Sequence, residues 1–265
     1  EMEAHILKMM YDIDCIEGVG KFISDEKANT SNKPPSETNL QLKTGDESKT
    51  KINMEPQDDE EDKPSVKIEK YIEEKQLILS LLKEEKVEGS KTMTTKIPDN
   101  VDEIWFESDK RSYDLYKMWN VLEAKLHNLT ASKDAREEFE KKLDLISDSI
   151  GEKNVRDSLF SLNSLTMDLS TFVDSFDSKV PKSVFRMKYH TRQAVLDASE
   201  QNYKQAINHL NMVSELKSNP SQKLIEQENK NIVDKLNFSI DDLEKQLEAG
   251  DFHLIQVKAA IVIKN

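Results

Sequence analysis

From Leu115 onward, apolar residues recur in steps of four, three, four and three: Leu115, Trp119, Leu122, Leu126 and Leu129, with Trp105 leading the stripe. That spacing places one apolar residue per turn on a single helix face, beside a charged face. It predicts a long helix opening near Val101, with Asp99 or Asn100 as its cap. The period returns in shorter units over 133–150, 155–176, 183–198, 203–216, 222–247 and 252–263. In the first unit Ala135, Phe139, Leu143, Ile146 and Ile150 face inward. Only Gly151, Gly250, Pro181 and Pro220 interrupt residues 101–265, a scarcity of helix breakers found where helix dominates.

The first hundred residues differ in texture. Residues 1–24 read as a short amphipathic helix carrying Ile6, Met9, Met10, Ile13 and Ile16, with Gly18 and Gly20 ending it. Between residues 26 and 65 only Ala28, Leu40, Leu42, Ile52 and Met54 are apolar. Such a stretch buries too little surface to offset its ordering entropy, so 25–65 is expected to be a disordered, acidic linker. Residues 66–86 predict a further helix with Ile68, Ile72, Leu79 and Leu82 on one face. A polar break leads on to residue 100. The expected fold is all-α: an antiparallel helical bundle or short helical-hairpin array over 101–265, with 66–86 packed on it.

Three turns share a pattern. Ile150 to Val155, Ala198 to Tyr203 and Leu247 to Phe252 each read apolar, polar or small residues, Asn or Asp, then apolar. The Asn or Asp suits a helix cap and the apolar pair a staple. The spacing of one helical hairpin per turn suits a repeat array.

Charge narrows the partners. The net charge is −13, shared as −8 over residues 1–100 and −5 over the rest. Neither part has the clustered Lys and Arg that nucleic acid or an anionic membrane surface requires. Cys15 is the single cysteine, which excludes an internal disulfide and a cysteine-based zinc site. No apolar run is long enough to span a membrane. The sequence opens on Glu1 rather than Met and reads as a fragment or a processed chain.

Catalytic chemistry finds no foothold. His5, His127, His190, His209 and His253 include no pair three or four residues apart, so no helical metal motif is present. Nucleophile elbows and glycine-rich phosphate loops are missing. The acidic run 58–62 lacks the turn pattern of a calcium loop and reads as a solvated face. No catalytic, cofactor-binding or metal residue is singled out. Trp105, Tyr113, Tyr116 and Trp119 are expected to fill a core. Tyr189, His190 and Arg192, with Asn163 on the preceding helix, form the one polar set suited to a groove or a helix end.

The stretch from Tyr113 to Leu126 (YDLYKMWNVLEAKL), continued by Phe139, Leu143, Ser158 to Leu165 and Gly250-Asp-Phe with Lys258, resembles helical lipoproteins of unknown function from clostridia and related Gram-positive bacteria. The resemblance covers residues 101–265 and implies an exported domain on a tether, lipid-anchored upstream of residue 1. Cys15 departs from it. Asp12-Ile-Asp14 precedes this cysteine, where a lipoprotein has small and apolar residues, so Cys15 is not read as the lipid-bearing one. The expectation is a non-enzymatic, extracytoplasmic cell-envelope protein that binds a protein partner or serves as a scaffold. A small-ligand or metal-binding sensor domain and a cytosolic helical-repeat adaptor are the alternatives.

Overall fold

A computed structural model describes residues 1–31, 64–85, 100–129, 131–176, 178, 180–218 and 230–265. The described residues are helical and contain no strand. The helices are α1 (Met2–Asp14), α2 (Ile16–Ser31), α3 (Pro64–Lys75), α4 (Leu79–Glu84), α5 (Val101–Asn128), α6 (Lys133–Gly151), α7 (Val155–Thr171), α8 (Lys182–Ser199), α9 (Tyr203–Leu216), α10 (Lys230–Ala249) and α11 (Phe252–Lys264). Among them none is long and apolar enough to cross a membrane. Most of the expected linker, the polar break after residue 85 and the Asn219-Pro220 break lie outside the described residues.

From α5 to α11 each helix packs on the next in sequence, as a hairpin array requires. The expected apolar faces are buried: Trp105, Leu115, Trp119 and Leu126 on α5, then Phe139, Leu143, Ile146 and Ile150 on α6. Leu129, the last residue of the stripe, lies beyond the helix and is exposed. Asn100 caps α5, its side chain accepting from the Asp102 amide at 2.9 Å.

The N-terminal segment is more central than its sequence suggests. α1 packs against α5, α7 and α4, and Ile6, Leu7, Met9, Met10 and Ile13 are wholly buried. Each such side chain contributes about 1.5–3 kcal/mol, so α1 belongs to the main core. Three of its polar residues find partners: His5 Nε2 donates to the Arg111 carbonyl at 3.0 Å, and Lys8 pairs with Asp12.

Gly18 and Gly20 lie inside α2 and do not end a helix. The break falls at Cys15 instead, which is buried, its thiol pushed up to about 12 chiefly by desolvation. Gly18 is where α3 crosses: a Cβ there would stand 2.5 Å from the Ile72 Cα and 2.8 Å from its amide nitrogen. Only a residue without a side chain permits that approach.

The helix expected over 66–86 is interrupted. α3 ends at Lys75 and α4 begins at Leu79. The Asp14 carboxylate accepts from the amides of Leu77 and Ile78, each at 2.8 Å. From the opposite side Gln256 on α11 donates to the carbonyls of Gln76 and Leu77 at 2.7 and 2.9 Å. The break therefore spends its backbone groups on α1 and α11, and every one of those bonds is long-range. Burial lifts the Asp14 carboxyl to about 6 against the pull of the amides it accepts from.

The three similar turns share a backbone feature. Lys153, Gln201 and Gly250, each one residue before the Asn or Asp, have φ of 54°, 61° and 72°. At the first two, paired backbone bonds close the helix: Lys153 to Ile150 and Asn154 to Ser149, then Gln201 to Ala198 and Asn202 to Asp197. That is the Schellman closure, which favours glycine. Asn154 and Asp251 cap the following helices through their side chains; Asn202 does not. The helix expected over 155–176 stops at Thr171 and continues as a 3-10 turn over Val173–Ser175.

Gly18→Ala is expected to lower stability by up to about 2 kcal/mol in urea denaturation, because overpacking of roughly 1–3 kcal/mol is set against a helix-propensity gain of about 1 kcal/mol. A stabilised variant would show that the α2–α3 crossing relaxes freely.

Candidate functional site

Two features meet near the middle of α7: a buried polar network and an open apolar cleft. The network runs along α8. Arg192 is completely buried. Its Nε donates to Asn163 Oδ1 at 2.8 Å, one terminal nitrogen donates to Thr166 Oγ1 at 2.8 Å, and the other pairs with Glu85. Glu85 is equally buried, with Lys188 Nζ 3.8 Å from its second oxygen. A planar guanidinium with several fixed donors suits such a junction. Asn163 Nδ2 passes the chain to Gln193 Oε1 at 3.0 Å, and Gln193 Nε2 to Asp197 Oδ1 at 3.1 Å.

The network ends in two histidines. His209 Nε2 lies 3.5 Å from Asp197 Oδ2, and His190 Nδ1 lies 2.8 Å from His209 Nδ1. Tyr189 meets both rings edge-on, at centroid distances of 4.8 and 6.0 Å. Burial lowers the pKa of both histidines, that of His190 to about 4 with His209 as the second cause. Burial also raises the Asp197 carboxyl. Two neutral rings in this contact share one proton as donor and acceptor. Two nitrogens on one tetrahedral zinc would stand roughly 3.3 Å apart, so the pair is built for a hydrogen bond. Among the described residues no group of three or more His, Cys, Asp or Glu side chains is placed to hold a metal ion.

The cleft has a volume of about 550 Å³ and opens between α5, α7 and the start of α1. Met118, Val121 and Leu122 of α5 face Leu169, Phe172 and Phe176 across it, with Phe185 of α8 at one side. Its size is that of an ordinary ligand pocket. Polar groups enter at Thr166, Ser170, Glu1 and Glu3, and Lys117 and Lys125 stand on the α5 rim. Thr166 is the one network residue in the wall. Arg192, His190 and Tyr189 lie behind it.

The polar set Tyr189, His190, Arg192 and Asn163 is thus one cluster, as its grouping in the sequence suggested. None of the four lines the cleft described above; the donors of Arg192 and Asn163 are turned onto their neighbours, while Glu85 Oε2 and Asp197 Oδ2 are buried without a hydrogen bond. The pairing of His190 with His209 across 19 residues of chain has no local signature; it needs α8 and α9 to pack first. Glu85 carries no sequence signal either. The aromatic set divides. Trp119 stacks on Phe139 at 4.2 Å and touches Phe172 at 5.8 Å. Tyr116 donates to Asp144 at 2.6 Å, while Tyr113 points into solvent. No family model matches this chain, and no curated protein or solved structure is similar to it.

Arg192→Leu leaves Glu85 buried with only the more distant Lys188, and should cost about 3–5 kcal/mol in urea denaturation. Adding Glu85→Leu should restore most of that loss. A double variant as unstable as the single one would show that the pair is not the coupled unit.

The depressed pKa of His190 sets a pH dependence. The unfolded ring binds a proton near 6.5 and the folded ring only near 4, so its contribution to stability is present above 6.5 and is lost as pH falls towards 4. His190→Asn should therefore gain on the wild type as pH falls from 7 to 4, read as the difference in thermal midpoints. A constant difference would contradict the buried neutral ring.

Proposed function

We propose that the protein is a non-enzymatic helical protein of the cell envelope that binds a protein partner through the cleft between α5 and α7. The observation that carries the binding part is the cleft itself. Apolar side chains from two helices stand open there, whereas Arg192 and Glu85 behind the wall are buried and paired and His190 is bonded to His209. Exposed apolar surface of this kind marks interaction sites, and a groove between helices suits the apolar face of an added segment. The envelope part draws on the resemblance to clostridial lipoproteins over residues 101–265.

A second reading, a small-ligand sensor, is favoured by one observation. Thr166, Ser170 and Glu3 bring a few polar groups into the otherwise apolar wall of the same cleft, and a few polar groups in an apolar wall are what orients a small ligand.

Both readings need the cleft to bind. N-phenyl-1-naphthylamine, a neutral fluorescent probe of apolar surface, should bind the native protein, and Val121→Glu with Phe176→Glu should abolish that binding without changing helicity by circular dichroism. Probe binding that survives both substitutions would remove the cleft as the site. For location, a complete reading frame with a basic, then apolar, then cysteine-ended leader supports the envelope; an ordinary cytosolic start overturns it and favours a helical-repeat adaptor.

A further inference from the structure

Asp14 stands between two breaks in the helical chain. At Cys15 α1 gives way to α2, and at residues 76–78 α3 gives way to α4. Its carboxylate, at the first break, accepts from the amides of Leu77 and Ile78 in the second, at 2.8 Å each. Ile78, the residue before α4, makes no side-chain cap of its own, so a carboxylate from another helix takes that role. The start of α2 and the end of α3 therefore meet at one side chain.

Between those breaks α2 and α3 form a unit. α2 has α3 as its chief neighbour and touches α5 and α1 much less. Gly18 lets the Ile72 backbone in close, Phe22 meets Tyr71 edge-on at 5.6 Å, and Lys21 lies 3.8 Å from Glu74. Beyond the second break the chain is fixed to the body. Gln256 of α11 donates to the Gln76 and Leu77 carbonyls, and α4 packs on α11 and α1. A tight helix pair on two adjoining breaks, with a fixed base, has the anatomy of a hinged arm, since hinges are short element-terminal stretches.

The side chain at the hinge is a buried acid. Glu17 on α2 is a like charge acting on it. Lys83 of α4, with Asp12 and Lys8 of α1, bears on the neighbouring Cys15. Lys75 ends α3 and is exposed, and Gln76 and Gln256 are neutral. Released into water, the Asp14 carboxyl titrates near 3.8; held, it keeps its proton up to about 6, because desolvation outweighs the pull of the amides. The held form thus carries the extra proton between those values, so acid favours holding and neutral pH favours release.

We propose that α2 and α3 swing as one arm about the breaks at Cys15 and 76–78, and that Asp14 is the clasp, tightened by acid and loosened at neutral pH. This stands apart from the reading of the cleft.

Hydrogen exchange read by mass spectrometry on the full chain, from pH 5 to 7.5, tests the clasp. After correction for the intrinsic rate, residues 68–78 should open about tenfold more readily at pH 7.5 than at pH 5, the ratio set by proton binding one unit below the value of the held carboxyl. Asp14→Asn, which cannot titrate there, should bring that ratio to about one. Pulsed dipolar distances read the motion and need no change at Asp14. Spin labels at Lys27→Cys and Lys70→Cys, both within the arm, should keep one narrow distance throughout. Labels at Lys70→Cys and Lys141→Cys, arm to body, should broaden as pH rises. Cys15 is buried and stays unlabelled. Exchange at 68–78 that ignores pH, or is faster at pH 5, overturns the clasp, and so does a ratio that survives in Asp14→Asn. A rise shared equally by α6 and α7, or broadening within the arm itself, overturns the swinging unit. If Asp14→Asn fails to fold, the wild-type exchange series and the two label pairs still decide.

Discussion

Burial of α1 is the constraint that organises the molecule. A helix carrying Ile6, Leu7, Met9, Met10 and Ile13 has too broad an apolar surface for the outside of a protein, and it is stable where neighbours cover it. α5 and α7 supply that cover, with α4 closing another side. The last residue of α1, Asp14, then dictates where the next segment bends by taking its amides. Gln256 holds the same bend from the far end of the chain. The consecutive hairpins are local, but they become one body through these crossings, and long-range contacts of that kind form slowly.

The polar interior separates two jobs. Along α8 nearly every donor finds an acceptor, and Arg192 uses all its nitrogens on α7 and on the end of α4. A buried network of this kind aligns helices, with Glu85 Oε2 and Asp197 Oδ2 as its acceptors left without a hydrogen bond. It is a poor site, since a ligand would have to break bonds already made. The cleft presents the opposite case: apolar side chains of α5, Val121 above all, face open space there. The cleft wall at Thr166 is where the two regimes touch, since its hydroxyl accepts from Arg192.

How much of this was legible in the sequence depends on the reach of each interaction. Helix periodicity is local, and it gave α5, α6, α8, α9 and α11 nearly to the residue, and the start of α7. The shared turn pattern was legible too, and the left-handed residue at Lys153, Gln201 and Gly250 is its physical content. The break at 76–78 was not legible, because the stretch reads as helix and only Asp14 and Gln256 divert it. Gly18 misled for a related reason: glycine marks a helix end or a close crossing with the same letter, and at Gly18 the choice between them belongs to Ile72. Of the candidate site, Tyr189, His190 and Arg192 could be grouped by helical spacing. Glu3, Glu85 and His209 could not, since each enters from another helix.

Trp119 is buried, stacked on Phe139, and in contact with Phe172, a residue of the cleft wall. Trp105, the other tryptophan, is buried on the same helix. An indole one ring away from the cleft makes the protein its own optical gauge. Anything that presses on Phe172 alters the packing and polarity around Trp119, and shifts an emission that needs no dye attached.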